Sequence, residues 1–354
     1  MKIYKVGGAV RDSLLGVRSA DNDWVVIGSS PEEMVADGFK PIGKDFPVFL
    51  HPDTSEEYAL ARTEKKSGTG YHGFTFYFGK DVTLEDDLSR RDFTINAIAE
   101  DEEGNIIDPF NGQHDIKNKL FRHVSDAFYE DPLRAIRLAR LFTYEHLKDF
   151  NINDTTIDSI NKIVSNDEIK KLSADRIWSE TARALNSSYP NIYFEKIITL
   201  NLKNPFFKNL NIASCHSHKD PEVRWAELQI NNGFEIGEQL PIPNEFKHAS
   251  NILKNISKID MKINDSDLIS ILITSNFKRN EDLINKLVTL PNIEKTKDFI
   301  LKLVKEIRNT NFSTLSSTPK KKVEQEKFNM YKNNIFFFFK IIMSLNKPRY
   351  MIVL

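Results

Sequence analysis

The chain is predicted to be an α+β protein: a mixed sheet with helices forms the head, and an all-helical neck, body and tail follow. Two observations predict this. Up to about Asp131, short apolar runs rich in β-branched residues alternate with short helical segments. Beyond Asp131 the β signal fades and apolar residues return at helical spacing, as at Leu133, Ile136, Leu138 and Leu141, then at Ile157, Ile160 and Ile163. With 354 residues, 40% hydrophobic and 28% charged, the chain has room for two or three domains, each with a sizeable core.

Lys2–Val6 reads as the first strand, with Ile3, Tyr4 and Val6 as its apolar positions, and it runs directly into Gly7-Gly8. The residues after the glycine pair read as a helix, so the N–H groups at its start can face a phosphate. Arg11, one turn in, adds a fixed positive charge. Asp23–Ile27 heads the second strand. Asp21 and Asp23 are two apart, so on a strand both carboxylates leave one face while Asn22 and Trp24 leave the other. Two hard oxygen donors beside a phosphate site suit Mg²⁺. Pro31–Ala36 and Leu84–Arg90 are expected as helices, Pro47–Leu50 and Glu57–Arg62 as strands. Pro132 fits a helix start with Asp131 as its cap. Arginines then recur every three residues, so Arg134, Arg137 and Arg140 form a slanting stripe that leaves Leu133, Ile136 and Leu141 for the core. Arg176 and Glu180, at i and i+4, are expected to brace the neck against each other. Ser313–Pro319 reads as a loop. Ile335–Met343 is far shorter than a membrane span and carries Lys340, so it is expected to be the buried side of a terminal helix.

With a formal net charge of −1, no general affinity for polyanions shows at the level of the whole molecule. Any nucleic-acid surface must be local, with Lys65-Lys66, Arg90-Arg91 and Lys320-Lys321-Lys322 as candidates. The single cysteine, Cys215, excludes an internal disulfide framework and a cysteine-based zinc site. That fits a reducing cytoplasm, with no membrane and no disulfide-linked partner. No cleavable apolar segment precedes the Gly-Gly motif.

Three segments, Gly7 to Asp23, Arg90-Arg91-Asp92-Phe93-Thr94-Ile95-Asn96-Ala97 and Glu130 to Arg140, resemble the motifs of polymerase-β-like nucleotidyltransferases. More narrowly, they resemble class II tRNA nucleotidyltransferases, the CCA-adding enzymes, and the related bacterial poly(A) polymerases. The likeness is tight from Met1 to about Arg140, looser to about Leu200, and eroded beyond. It implies a catalytic head over residues 1–138, a base-reading and RNA-binding neck over 139–200, and a helical body and tail over 201–354. Asp21 and Asp23 would hold two Mg²⁺ ions, and Gly8, Arg11, Arg91, Arg137 and Arg140 would position the nucleotide. Asp92 and Asn96 would lie near the ribose and help to select a 2′-hydroxyl, which both donates and accepts. Glu57 would be a third acidic group, Arg62 a supporting salt-bridge partner, and Thr63–Gly73, with Gly68, Gly70 and Gly73, a flexible loop.

The same resemblance makes Asp131 and Arg134 the readers of the base. Cytosine and adenine each present an amine donor beside a ring-nitrogen acceptor, which a carboxylate and a guanidinium satisfy together. Guanine and uracil reverse that pattern, and each unsatisfied pair costs on the order of 1–3 kcal/mol. The implied substrates are CTP, ATP and the 3′ end and acceptor arm of tRNA. Many relatives carry a His-Asp phosphohydrolase domain. Here Val223–Leu228 resembles its lead-in, but Ile230-Asn231 stands where the His-Asp pair would fall. A degenerate domain kept for tRNA contact is expected. His114-Asp115, the one His-Asp dipeptide, reads as a helix start. The rivals are a poly(A) polymerase, a partial CC- or A-adding enzyme, and a tRNA-binding pseudoenzyme. Against the polymerase, Gly7 follows almost directly on the first residue, and neither a leading arm nor a strongly basic tail is present. The intact Asp pair speaks against the pseudoenzyme.

Overall fold

The computed structural model describes residues 1–19, 22–42, 47–66, 74–260 and 262–308, with 326, 329 and 330. Asp21, Ser313–Pro319, Lys320–Lys322 and Ile335–Met343 lie outside the described residues, as do residues 67–73 of the Thr63–Gly73 segment, with its Gly68, Gly70 and Gly73. The chain divides into two compact units, residues 1–213 with 237–241, and residues 214–236 with 242–354.

The first unit opens with β1 (Lys2–Val6), α1 (Gly8–Leu14), β2 (Asp23–Ile27) and α2 (Pro31–Ala36). The short strands β3 (Lys40–Pro41), β4 (Val48–Leu50) and β5 (Glu57–Leu60) follow. β6 (Thr63–Lys66) and β7 (Phe74–Tyr77) pair as a separate antiparallel hairpin. Next come α3 (Leu84–Ser89), a 3-10 turn at Thr94–Asn96, and the strands β8 (Ala99–Glu100) and β9 (Ile106–Ile107). The main sheet has the order β3-β4-β5-β2-β1-β8-β9. β2 and β5 run parallel, with Asp23 opposite Glu57, and β1 is antiparallel to β2, with Val6 opposite Asp23.

β2 lies in the middle of this sheet, so its alternating side chains feed two apolar layers. Val26 packs with Met34, Phe39, Phe49, Tyr58 and Leu60, and Val25 with Val6, Leu88, Ala97 and Ala99. Asp23 therefore leaves the sheet on the Val25 side, while Trp24 stacks on Tyr58 on the other. Reciprocal caps define two of the helix starts. Ser30 and Glu33 close a capping box on α2 with Pro31 at its first turn, and Thr83 and Asp86 do the same for α3.

α4 (Gly112–Lys117), β10 (Leu120–Phe121) and α5 (Ala127–Glu130) lead into α6 (Leu133–Leu141). The expectation that the chain is wholly helical after Asp131 needs one correction. β11 (Asn151–Ile152) pairs in parallel with β10, because Lys119 and Phe121 offer carbonyls that the returning chain takes up. α7 (Asp154–Ser165), α8 (Ala174–Leu185) and α9 (Pro190–Thr199) complete the unit. A cluster of rings seats α6 against the head. Phe121 meets Phe93, Phe142 and Phe150 at centroid distances of 5.6, 4.8 and 5.2 Å, and Phe128 joins Phe93 at 5.6 Å.

In the second unit, α10 (Pro221–Asn231), α11 (Asn244–Ile256), α12 (Asp265–Thr274), α13 (Glu281–Leu287) and α14 (Lys297–Arg308) surround an aliphatic core. Val223, Leu253, Leu272, Leu287 and Leu303 are fully buried there, and Ile230 packs against this core. Asn231 bonds the Ser214 carbonyl and accepts from Asn292.

Candidate active site

A cavity of about 830 Å³ opens within the first unit. It is lined by Gly7, Gly8, Asp23, Asp92, Asn96, Asp131, Phe76, Leu141, Tyr144 and nine arginines. The arginines outnumber the three lining aspartates, so the cavity is strongly positive in a chain of nearly neutral net charge. Of the expected site residues, Gly8, Arg11, Asp23, Arg91, Asp92, Asn96, Asp131, Arg134, Arg137 and Arg140 all reach it. Asp21 lies outside the described residues.

Gly7 makes the approach to the cavity possible. Its φ of 75° is the left-handed region that glycine alone enters without strain, and its N–H donates to Ile98 O at 3.2 Å. A Cβ at Gly7 would lie 2.9 Å from Arg91 Nη1 and 3.9 Å from Asp23 Oδ2, so the turn brings those two side chains together across its backbone.

Below the glycines runs a chain of charge-assisted hydrogen bonds. Arg11 Nη1 donates to Asn96 Oδ1 at 2.6 Å, and Asn96 Nδ2 donates to Asp92 Oδ1 at 3.0 Å. Arg137 Nε donates to Asp92 Oδ2 at 2.9 Å. Burial disfavours the charge on Asp92, but Arg137, the Asn96 amide and Arg134 prevail and hold its carboxyl down to about 2. Arg90 and Arg91 both pair with the fully buried Asp87, at 2.6 and 3.1 Å. Asp87 stands three and four residues before them on the same helical path, a spacing that marks it in the sequence as their partner. Arg91 Nε is buried with no hydrogen-bond partner among the described residues.

α6 brings the arginine stripe to the cavity floor. Arg134 and Arg140 are 8% and 6% exposed and Arg137 is half-buried, so the stripe lines the cavity with two of its three arginines sunk into the protein. Arg134 donates to the carbonyls of Arg90 and Arg91, which fixes the direction of its guanidinium. Asp131 Oδ1 accepts from Leu133 N at 3.3 Å, so Asp131 caps α6 as its position before Pro132 suggests.

The expected Arg176–Glu180 brace is replaced by pairs across helices. Arg176 Nη2 donates to Asp131 Oδ2 at 2.8 Å, while Glu180 binds Arg140, which also donates to the Tyr144 hydroxyl. α6 and α8 pack face to face, so each residue meets an opposite charge nearer than its neighbour one turn away. Arg176, Arg183, Tyr144 and Phe76 line the cavity, and no sequence motif singled out the last three.

Arg62 lies over the Phe76 ring at 5.4 Å, and its main chain accepts from Arg90 and donates to Asp87. Glu57 is exposed and is not among the lining residues, although it stands opposite Asp23 in the sheet. His114-Asp115 lies inside α4, where Asp115 accepts from Thr94 and Arg122 at 2.7 and 3.0 Å. The Asp23 carboxylate, by contrast, is exposed and has no side-chain hydrogen bond or ion pair among the described residues. An unpaired carboxylate is a hard oxygen donor of the kind that can hold a cation, although among the described residues no group of three or more His, Cys, Asp or Glu side chains gathers there.

Two family models match the chain, the poly A polymerase head domain over residues 3–122 and the probable RNA- and SrmB-binding site of polymerase A over residues 149–213. CCA-adding enzymes of two Coxiella burnetii strains are each 44% identical over 334 residues, covering 91% of this chain and 85% of theirs. Among solved structures, the Bacillus stearothermophilus CCA-adding enzyme in complex with CTP matches with a TM-score of 0.68 and 23% identity, covering 98% of this chain and 94% of that one. The Thermotoga maritima CCA-adding enzyme complexed with tRNA matches at 0.61 and 19%, covering 98% and 92%. These structures share the fold, a polymerase-β-like nucleotidyltransferase head followed by helices. The sequence relatives carry the conclusion that this chain belongs to the family of CCA-adding enzymes.

Proposed function

We propose that this chain adds the 3′-terminal CCA to tRNA from CTP and ATP in the cytoplasm, without a nucleic-acid template and with release of pyrophosphate. The observation that carries the reading is the cavity itself, where an unpaired Asp23 faces an arginine-rich wall in a chain of this family. Among the described residues no helix is long and apolar enough to cross a membrane. The head is assigned to residues 1–138, the neck to 139–200, and a tRNA-contacting body and tail to 201–354.

Enzymes with this fold depend on a metal. Here the metal is Mg²⁺, held by Asp21 and Asp23, since hard carboxylate oxygens suit it. Bound there, it would supply charge neutralisation of the triphosphate and acidify the attacking 3′-hydroxyl. The protein's own groups do the rest. Gly8, Arg11, Arg91, Arg137 and Arg140 bind and orient the nucleotide, with the buried Nε of Arg91 awaiting an anionic oxygen. Asp92 and Asn96 face the ribose, and Asp131 with Arg134 accept from the amine and donate to the ring nitrogen of cytosine or adenine. Both readers are held from behind, Asp131 by Arg176 and Arg134 by two carbonyls, so the selection geometry is preorganised.

The test is a direct assay. tRNA lacking its 3′ end is offered CTP and ATP, labelled and singly, then together. Addition of CCA supports the reading. Long A-tails would make the chain a polymerase, arrest after C a partial enzyme, and tRNA binding without addition a pseudoenzyme. Asp23→Ala should abolish incorporation while sparing tRNA binding, and retained incorporation would overturn the metal assignment.

A further inference from the structure

A single oxygen of Asp12 gathers three donors. Arg11 Nε and Nη2 each lie 2.7 Å from Asp12 Oδ1, and His146 Nε2 lies 3.0 Å from the same atom. Asp12 follows Arg11 on α1, whereas His146 stands 134 residues away in the turn after α6. Neither lines the cavity. The ionised carboxylate only accepts, so the imidazole carries its proton on Nε2 and donates. The ring is also held flat against Tyr144, with centroids 5.9 Å apart and planes 2° from parallel. Burial raises the Asp12 carboxyl, but the His146 hydrogen bond and the Arg11 charge outweigh it and keep the group below its ordinary value.

This arrangement leaves Arg11 little freedom. One edge of its guanidinium is bound to Asp12, and Nη1 is bound to Asn96. The remaining N–H groups therefore have a fixed direction at the cavity. A carboxylate held only by its neighbour on the same helix could rotate and take the guanidinium with it. The bond from a distant element removes that rotation. We propose that His146 is a positioning residue for nucleotide binding. By donating from Nε2 to Asp12, it sets the angle at which Arg11 meets the nucleotide. The proposal rests on the assignment of Arg11 to nucleotide binding made above.

The experiment compares His146→Gln with His146→Asn in the full chain with Mg²⁺, reading the equilibrium dissociation constants of CTP and ATP without tRNA. Gln places an amide N–H near the position of Nε2, while Asn falls a bond short and matches only Nδ1. Gln should bind both nucleotides within about twofold of the parent, and Asn should weaken both by about fivefold or more, the loss of one hydrogen bond to a charged group. In an Arg11→Ala background the two substitutions should be indistinguishable, which a merely structural histidine would not produce. Melting temperatures of the two variants establish that both are folded. Should Asn prevent folding, Gln must still retain parental affinity while His146→Phe, which keeps the ring stacking, loses it. Asn binding as tightly as Gln in the parental background would overturn the proposal. A parent chain that binds neither CTP nor ATP would instead sink the functional reading on which it rests.

Discussion

Gly7 and Asp92 illustrate how single residues set this site. At Gly7 a side chain meets two obstacles at once, a left-handed φ and Arg91 Nη1 at 2.9 Å. Gly7→Ala should therefore cost about 1–2 kcal/mol in urea unfolding and displace Arg91, lowering CTP incorporation more than stability alone explains. Unchanged incorporation would show that Arg91 is not needed where it stands. Asp92 has an ordinary carboxyl value of 3.8 and a folded value of about 2. A carboxyl depressed by folding adds stability that is complete above the unfolded value and is lost as pH falls through the folded one. Asp92 thus contributes on the order of 2 kcal/mol at neutral pH, lost between about pH 4 and pH 2. In Asp92→Asn, unfolding free energy should vary less steeply across that window than in the parent, and equal slopes would refute the assignment. Asp92 was legible in the sequence because it stands in a dense motif. Its partner Arg137 was legible as a member of the arginine stripe, but not as its partner, because 45 residues separate them.

The helices α6 and α8 show the limit of local rules. Spacing of i and i+4 paired Arg176 with Glu180, yet the structure turns one to Asp131 and the other to Arg140. Arg140 and Glu180 are both nearly inaccessible, so removing either charge strands the other in a poor solvent for ions. Glu180→Ala should lower stability by about 3–5 kcal/mol in chemical denaturation. The double substitution Glu180→Leu with Arg140→Met should recover most of that loss, because an apolar pair of similar volume has no charge to desolvate. A double variant no more stable than Glu180→Ala alone would contradict this account. Periodicity correctly placed the apolar face of α6, since Leu133, Ile136 and Leu141 are buried. Burial of its arginines was not legible, because a stripe of charge looks the same whether it faces water or a cavity.

For the whole molecule, chemistry and stability should separate. Removing divalent metal with a chelator should stop nucleotide incorporation while scarcely changing the melting temperature, because Asp23 is exposed and no packed core depends on it. A large fall in melting temperature would give the metal a structural role. In the second unit, Ile230 packs on the aliphatic core and Asn231 is engaged by Ser214 and Asn292. Purified protein should accordingly fail to hydrolyse 2′,3′-cyclic phosphates with any divalent metal, and hydrolysis above background would reverse that expectation.

Residue order alone was enough to predict the α+β class, the strand-glycine-helix turn, the cap at Asp131 and most of the residues that the fold gathers around one cavity. These depend on backbone conformation and short-range spacing, which a linear chain displays directly. Only the folded chain decided which charges neutralise which. Asp131 with Arg176, Arg140 with Glu180 and Asp12 with His146 are joined across 45, 40 and 134 residues. Such pairs form where packing brings distant elements within reach and excludes water. No local period records that proximity.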